Sequence, residues 1–178
     1  MFFHTYKNND ILERLGGRAD AYARVFGSRE YRTVRGTVEF YQMPDKVLVQ
    51  AHFIGLPDQI QQSPSGKPCG GSILGFHIHA GGSCTGNETD PFADAGGHYD
   101  NTVTVSGDMQ GCPHPYHAGD LPPLFVNNGT AYMVVATNRF TVEEILGRTV
   151  IVHAHADDFH SQPAGDAGGR IACGIIRE

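Results

Sequence analysis

The 178-residue chain has no tryptophan, and only 18% of its residues are charged. Its 13 lysines and arginines are outnumbered by 19 acidic residues, for a net charge of −6. A protein that reads a phosphate backbone needs a basic face to displace counterions, so nucleic acid is excluded as a partner. No apolar run is long enough to span a bilayer, and no heptad pattern points to a coiled coil. The opening residues, MFFHTYKNND followed by ILERLGGRADAYARVFGS, are broken by charges and hold no signal-peptide core. As numbered, the chain is expected in the cytoplasm, or outside it if a leader has been removed. The cysteines Cys69, Cys84, Cys112 and Cys173 contain no CxxC pair. That excludes a thiolate zinc site and leaves room for two disulfides.

What the chain has in plenty is histidine, glycine and proline. Nine of ten histidines lie at or beyond His52, and Gly 23 with Pro 10 approach a fifth of the residues. Residues 1–32 read as a short N-terminal extension packed on the main body. In it, Asp10 caps a helix over Ile11, Leu12 and Leu15, and a second helical stretch is expected over Ala19 to Phe26. From Val34 the period changes to two. Val34, Gly36, Val38 and Phe40 alternate with polar residues, Met43-Pro44-Asp45 makes a turn, and Lys46 to Ile54 returns as a second strand. Further strands are expected over Ser72 to Ala80, Thr130 to Ala136, Thr149 to Ala154 and Arg170 to Ile176. Thr141 and Glu144 have the spacing of a capping box. Many short strands with long loops and little helix define an all-β antiparallel sandwich or barrel over residues 33–178.

The loop from Gly81 to about Pro123 exceeds forty residues, a length that compact domains keep for function. His77 and His79 stand just before it at i and i+2, so a strand turns both imidazoles to one side. His153, in the strand VIVHA, adds a third nitrogen, and an all-imidazole set suits copper. Within the loop, His98, His114, His117 and Asp120 form a closed N/O set of the kind that holds structural zinc.

The ordered segments GFHIHAGGSC, AGGHYD, HAGDLP, GRTVIVHAHADDF and AGDAGGRIACG closely resemble the copper/zinc superoxide dismutase family over about residues 34 to 177. The resemblance implies an eight-stranded antiparallel Greek-key β-barrel with long metal-binding loops. It implies copper on His77, His79, His98 and His153, and zinc on His98, His114, His117 and Asp120, with His98 bridging the two. Asp157 would accept hydrogen bonds from one ligand of each metal, and Cys84 and Cys173 would form the intrasubunit disulfide. Arg170 would guide superoxide to copper. His98 would carry a proton while copper cycles, so that one superoxide leaves as dioxygen and the next as hydrogen peroxide. A non-catalytic copper or zinc carrier on the same barrel is the rival reading.

Two features depart from the family. Fifteen residues separate His98 from His114, more than is usual, and Asn101 stands where a proline is expected. Extra loop length costs little, so the loop can bulge while its ends meet at zinc, or it can displace His114. Cys69 and Cys112 either form a second bridge or remain thiols. No membrane partner is expected, and the oligomeric state stays open, a homodimer included.

Overall fold

The computed structural model describes residues 9–58, 61–62, 68–69, 72–101, 116–161 and 163–178. Helix α1 spans Asn9–Leu15. Beyond it the regular structure of the described residues is mostly strand: β1 (Ala21–Gly27), β2 (Arg35–Gln42), β3 (Val47–Ile54), β4 (Gln61–Gln62), β5 (Pro68–Cys69), β6 (Ile73–Leu74), β7 (Phe76–His79), β8 (Leu124–Phe125), β9 (Ala131–Thr137), β10 (Thr149–His153) and β11 (Arg170–Arg177), with the one-turn helix α2 (Val142–Ile145) before β10. Thr141 and Glu144 form the expected reciprocal capping box on α2. No helix among the described residues is long and apolar enough to cross a membrane.

Seven strands make one antiparallel sheet in the order β7-β10-β11-β1-β2-β3-β9. The pair β6–β8 joins its ends: β6 runs into β7 across Gly75, and β8 leads into β9. With β6 and β7 taken as one interrupted strand, eight strands surround the core. The chain steps from β3 to β6 and from β9 to β10, each time to the opposite side of the sheet order, as a Greek key does. The interior holds Phe40, Phe53, Phe76, Ile78, Leu124 and Val150, all at 0% exposure. Phe53 and Phe76 meet edge to face at 5.8 Å.

The stretch expected as a second helix is strand β1. Ala21, Ala23 and Val25 point inward at 0% exposure while Tyr22, Arg24 and Phe26 point outward. Alanine is a strong helix former, and it masks a strict period of two. β1 pairs with both β2 and β11, so the sheet takes in residues ahead of position 33. The preceding segment lies outside the barrel, where Leu15 and Ala19 pack on Tyr41, Met43 and Leu48.

Strand β10 is buried on both faces. Val150 and Val152 face the core, whereas Ile151 packs against Phe92 and Ala95 of the loop that covers the outside and against Cys173 of β11. That outer, covered face is where the histidines stand.

Candidate metal centre

Phe76 and Ile78 of β7 enter the core, so the alternating His77 and His79 face outward under the loops. Two loop arms are stitched to this strand. Ile78 N–H donates to Gly119 O at 2.9 Å, and Tyr99 N–H donates to Ile78 O at 2.8 Å. The bridges His77–Asp120 and His79–His98 follow from this pairing. β10 lies on the other side, with His79 opposite Thr149 and His77 opposite Ile151. One residue beyond the β7 pairing, His153 faces Arg170 of β11. At Gly75 the chain between β6 and β7 is held by Gly75 N–H to His155 O at 2.7 Å and His153 N–H to Gly75 O at 2.8 Å. A Cβ there would crowd Ala167 and press on the His77 ring, so glycine sets the approach of the two strands.

The result is a buried group of His77, His79, His98 and His153, whose ligand atoms all lie within 4.8 Å of one another. A second group, His98, His117 and Asp120, meets the same limit and shares His98 with the first. His98 Nδ1 is 2.7 Å from Asp120 Oδ1, and His117 Nδ1 is 3.3 Å from Asp120 Oδ2. His77, His79 and His153 are at most 3% exposed.

Neighbouring acceptors decide which nitrogen of each ring carries the proton. His79 Nδ1 donates to Gly96 O at 2.8 Å, and His153 Nδ1 donates to Gly168 O at 3.2 Å. Carbonyls only accept, so the proton sits on Nδ1 and the Nε2 lone pairs face each other, 3.2 Å apart. His77 Nε2 donates to Asp157 Oδ2 at 2.9 Å, which directs its Nδ1 lone pair to the group. Burial, followed by the charge of His98, pushes His79 down to about 2. Burial also lowers His153 to about 3 and His98 to about 4, the latter against the raising effect of Asp120. His117, half-buried, is raised by its hydrogen bond to Asp120. Neutral imidazoles with converging lone pairs are the donors that a borderline transition metal takes, and imidazole with carboxylate suits zinc. The residues fit copper in the first group and zinc in the second.

Most of the residues expected at the site are together in it. Asp157 lies behind His77, and the Cys84–Cys173 disulfide forms with Cα atoms 5.6 Å apart. Arg170 reaches the rim, where Nη1 donates to Phe92 O at 2.8 Å and Nη2 to Gly96 O at 2.7 Å. His114 lies outside the described residues, and so does Cys112, with the pairing of Cys69 and Cys112. Three features have no sequence signal. The Gly96 carbonyl is a backbone atom. Asp90, 3.1 Å from Arg170 Nη1, comes from a polar turn. Arg139, whose Nη1 donates to His117 O at 3.3 Å, holds the turn that presents His117 and Asp120.

The fold and site define a β-barrel protein with two adjoining clusters of imidazole and carboxylate that could hold metal ions. The family model described as copper/zinc superoxide dismutase (SODC) matches residues 34–176. A superoxide dismutase [Cu-Zn] of Photobacterium leiognathi is 41% identical over 112 residues, which are 58% of this chain and 63% of that protein. One from Legionella pneumophila is 35% identical over 160 residues, 89% of this chain and 87% of its own. The crystal structure of a double mutant of a SOD-like protein from Bacillus subtilis superposes with a TM-score of 0.67 at 29% identity, over 88% of this chain and 97% of that one. The chain thus spans just under two thirds of the Photobacterium relative and most of the other two. It belongs to the copper/zinc superoxide dismutase family.

Proposed function

We propose that this protein dismutates superoxide to dioxygen and hydrogen peroxide. His77, His79, His98 and His153 would hold copper, and His98, His117 and Asp120 together with His114 would hold zinc. The observation that carries this reading is the buried four-imidazole group with a fixed cation at its rim. Copper bound there would supply a one-electron couple able to oxidise one superoxide and reduce the next, and zinc, which is redox-silent, would fix the ring of His98.

The protein's own residues do the rest. Asp157 and the carbonyls of Gly96 and Gly168 keep three rings in one tautomer each, so that no reorientation is needed during turnover. Arg170 presents a guanidinium that attracts an anion in a chain whose net charge is −6, since the local field and not the total decides approach. His98, common to both groups, is the ring whose Nε2 would take up a proton and return it as peroxide forms, the second proton coming from solvent.

The test combines metal content and cyanide-sensitive superoxide removal on one preparation, with His153→Ala as control. About one copper and one zinc per chain are expected, with activity lost in the variant. Full copper loading without turnover would replace the enzyme reading by a metal carrier.

A further inference from the structure

Arg170 is more tightly surrounded than a cation that only attracts anions needs to be. Asp90 Oδ2 lies 3.1 Å from its Nη1, on a side chain 36% exposed. The other carboxylate oxygen of Asp90 accepts from Phe92 N–H at 3.1 Å. Asn87 Oδ1 in turn accepts from Asp90 N–H at 2.9 Å and from Thr89 N–H at 3.0 Å, so a compact turn fixes the carboxylate.

The orientation of Arg170 does not depend on that carboxylate. Phe92 O and Gly96 O already take one donor from each arm of the fork, on a loop tied to β11 by Cys84–Cys173. What Asp90 adds is a negative charge at contact distance from the cation. Such a pair looks nearly neutral from afar, while the guanidinium hydrogens not taken by Phe92 O, Gly96 O and Asp90 remain for a group that has arrived.

We propose that Asp90 moderates the hold of Arg170 on small inorganic anions at the rim of the metal site. It acts through Arg170 and limits the residence of anions there. This rests on the superoxide reading of the site.

The test uses copper- and zinc-loaded wild type, Asp90→Asn, Asp90→Ser and Asp90→Glu. Each is titrated with azide, followed by visible absorption, and superoxide decay is recorded from low to high ionic strength. Serine keeps an acceptor for the Phe92 N–H and provides a second neutral variant. Both neutral variants are expected to bind azide about threefold more tightly at low salt and to lose rate more steeply as salt rises. Asp90→Glu, which keeps the charge, is expected to stay near wild type. Unchanged or weaker azide binding in the neutral variants overturns the proposal. If azide binding tightens as expected but no form removes superoxide, the activity reading fails while the electrostatic role of Asp90 stands.

Discussion

The carbonyl of Gly96 joins Arg170 to His79. It accepts from Arg170 Nη2 at 2.7 Å and from His79 Nδ1 at 2.8 Å. A single backbone atom thereby fixes both the cation at the rim and the tautomer of a buried imidazole. Gly96 belongs to the loop tethered at Cys84, so any movement of that loop disturbs attraction and ligation together.

Replacing Arg170 separates those two effects. Arg170→Ala removes the charge and leaves Gly96 O to His79, and the expected outcome is about a tenfold lower kcat/KM at low ionic strength, with a flatter salt dependence. Arg170→Lys keeps the charge but cannot span Phe92 O and Gly96 O with a rigid fork, so it should fall between the two. Pulsed superoxide decay at several salt concentrations measures both, and an alanine variant as fast as wild type would deny Arg170 any part in guiding the anion.

The disulfide closes a long segment, with 89 residues of separation between Cys84 and Cys173. Chain entropy alone sets an upper figure of about 4–5 kcal/mol for such a loop, and native bridges typically contribute about 2–4 kcal/mol. The double variant Cys84→Ser/Cys173→Ser should lose stability in that range in denaturant titrations. Its copper affinity should fall as well, because Gly96 no longer sits on a tethered loop. A variant that loses stability but binds copper as tightly as wild type would show that Gly96 is held without the bridge.

Gly165 is the residue behind Asp157. Its φ is +61°, and a Cβ there would overlap the Asp157 carboxylate. That carboxylate also accepts Phe159 N–H at 2.7 Å besides facing His77. Gly165→Ala should cost about 1–3 kcal/mol in strain. It should also weaken copper binding about 10–100-fold, since displaced partners of a ligand carry over to the metal. Competition with a copper chelator gives the second value, and an unaltered affinity would mean that Asp157 yields without releasing His77.

Much of the barrel and of the histidine clustering is legible in the sequence, for definite reasons. His77 and His79 occur two apart within apolar β-formers, and a strand's period forces them to one side. His117 and Asp120 are three apart around Ala-Gly, and the turn that results has Asp120 N–H on His117 O at 3.1 Å. Strand β1 is hidden because its inward positions are mostly alanines, whose local preference is helical and is overridden by pairing on both edges. The Gly96 carbonyl and the Asp90 carboxylate escape any reading of residue spacing. Their roles arise only when the covering loop is laid across β10 and β11, contacts far apart in the chain.

The buried imidazoles also fix how the metal-free protein should respond to acid. His79, His98 and His153 are held well below the ordinary histidine value, to about 2, 4 and 3. In the unfolded chain they protonate near pH 6.5. Between that pH and the lowered values the unfolded state binds more protons, so stability rises with pH and is lost as pH falls below about 6.5. Three such groups give a slope of up to about 4 kcal/mol per pH unit until His98 begins to protonate in the folded state. His117 has the opposite sign. Its raised value adds stability that is fully present below its unfolded pKa and is lost as pH rises through the folded one. Its window lies above about pH 6.5, so it leaves the acid slope set by the other three rings essentially unchanged. Thermal melts of metal-free protein should therefore show Tm falling steeply from about pH 6.5 to about 4.5. The loaded protein should hold its Tm further into acid, because metal occupies the lone pairs that protons would take. A metal-free Tm that is flat across that range would mean the rings already share protons in the native state, and the converging neutral lone pairs on which the copper assignment stands would be wrong.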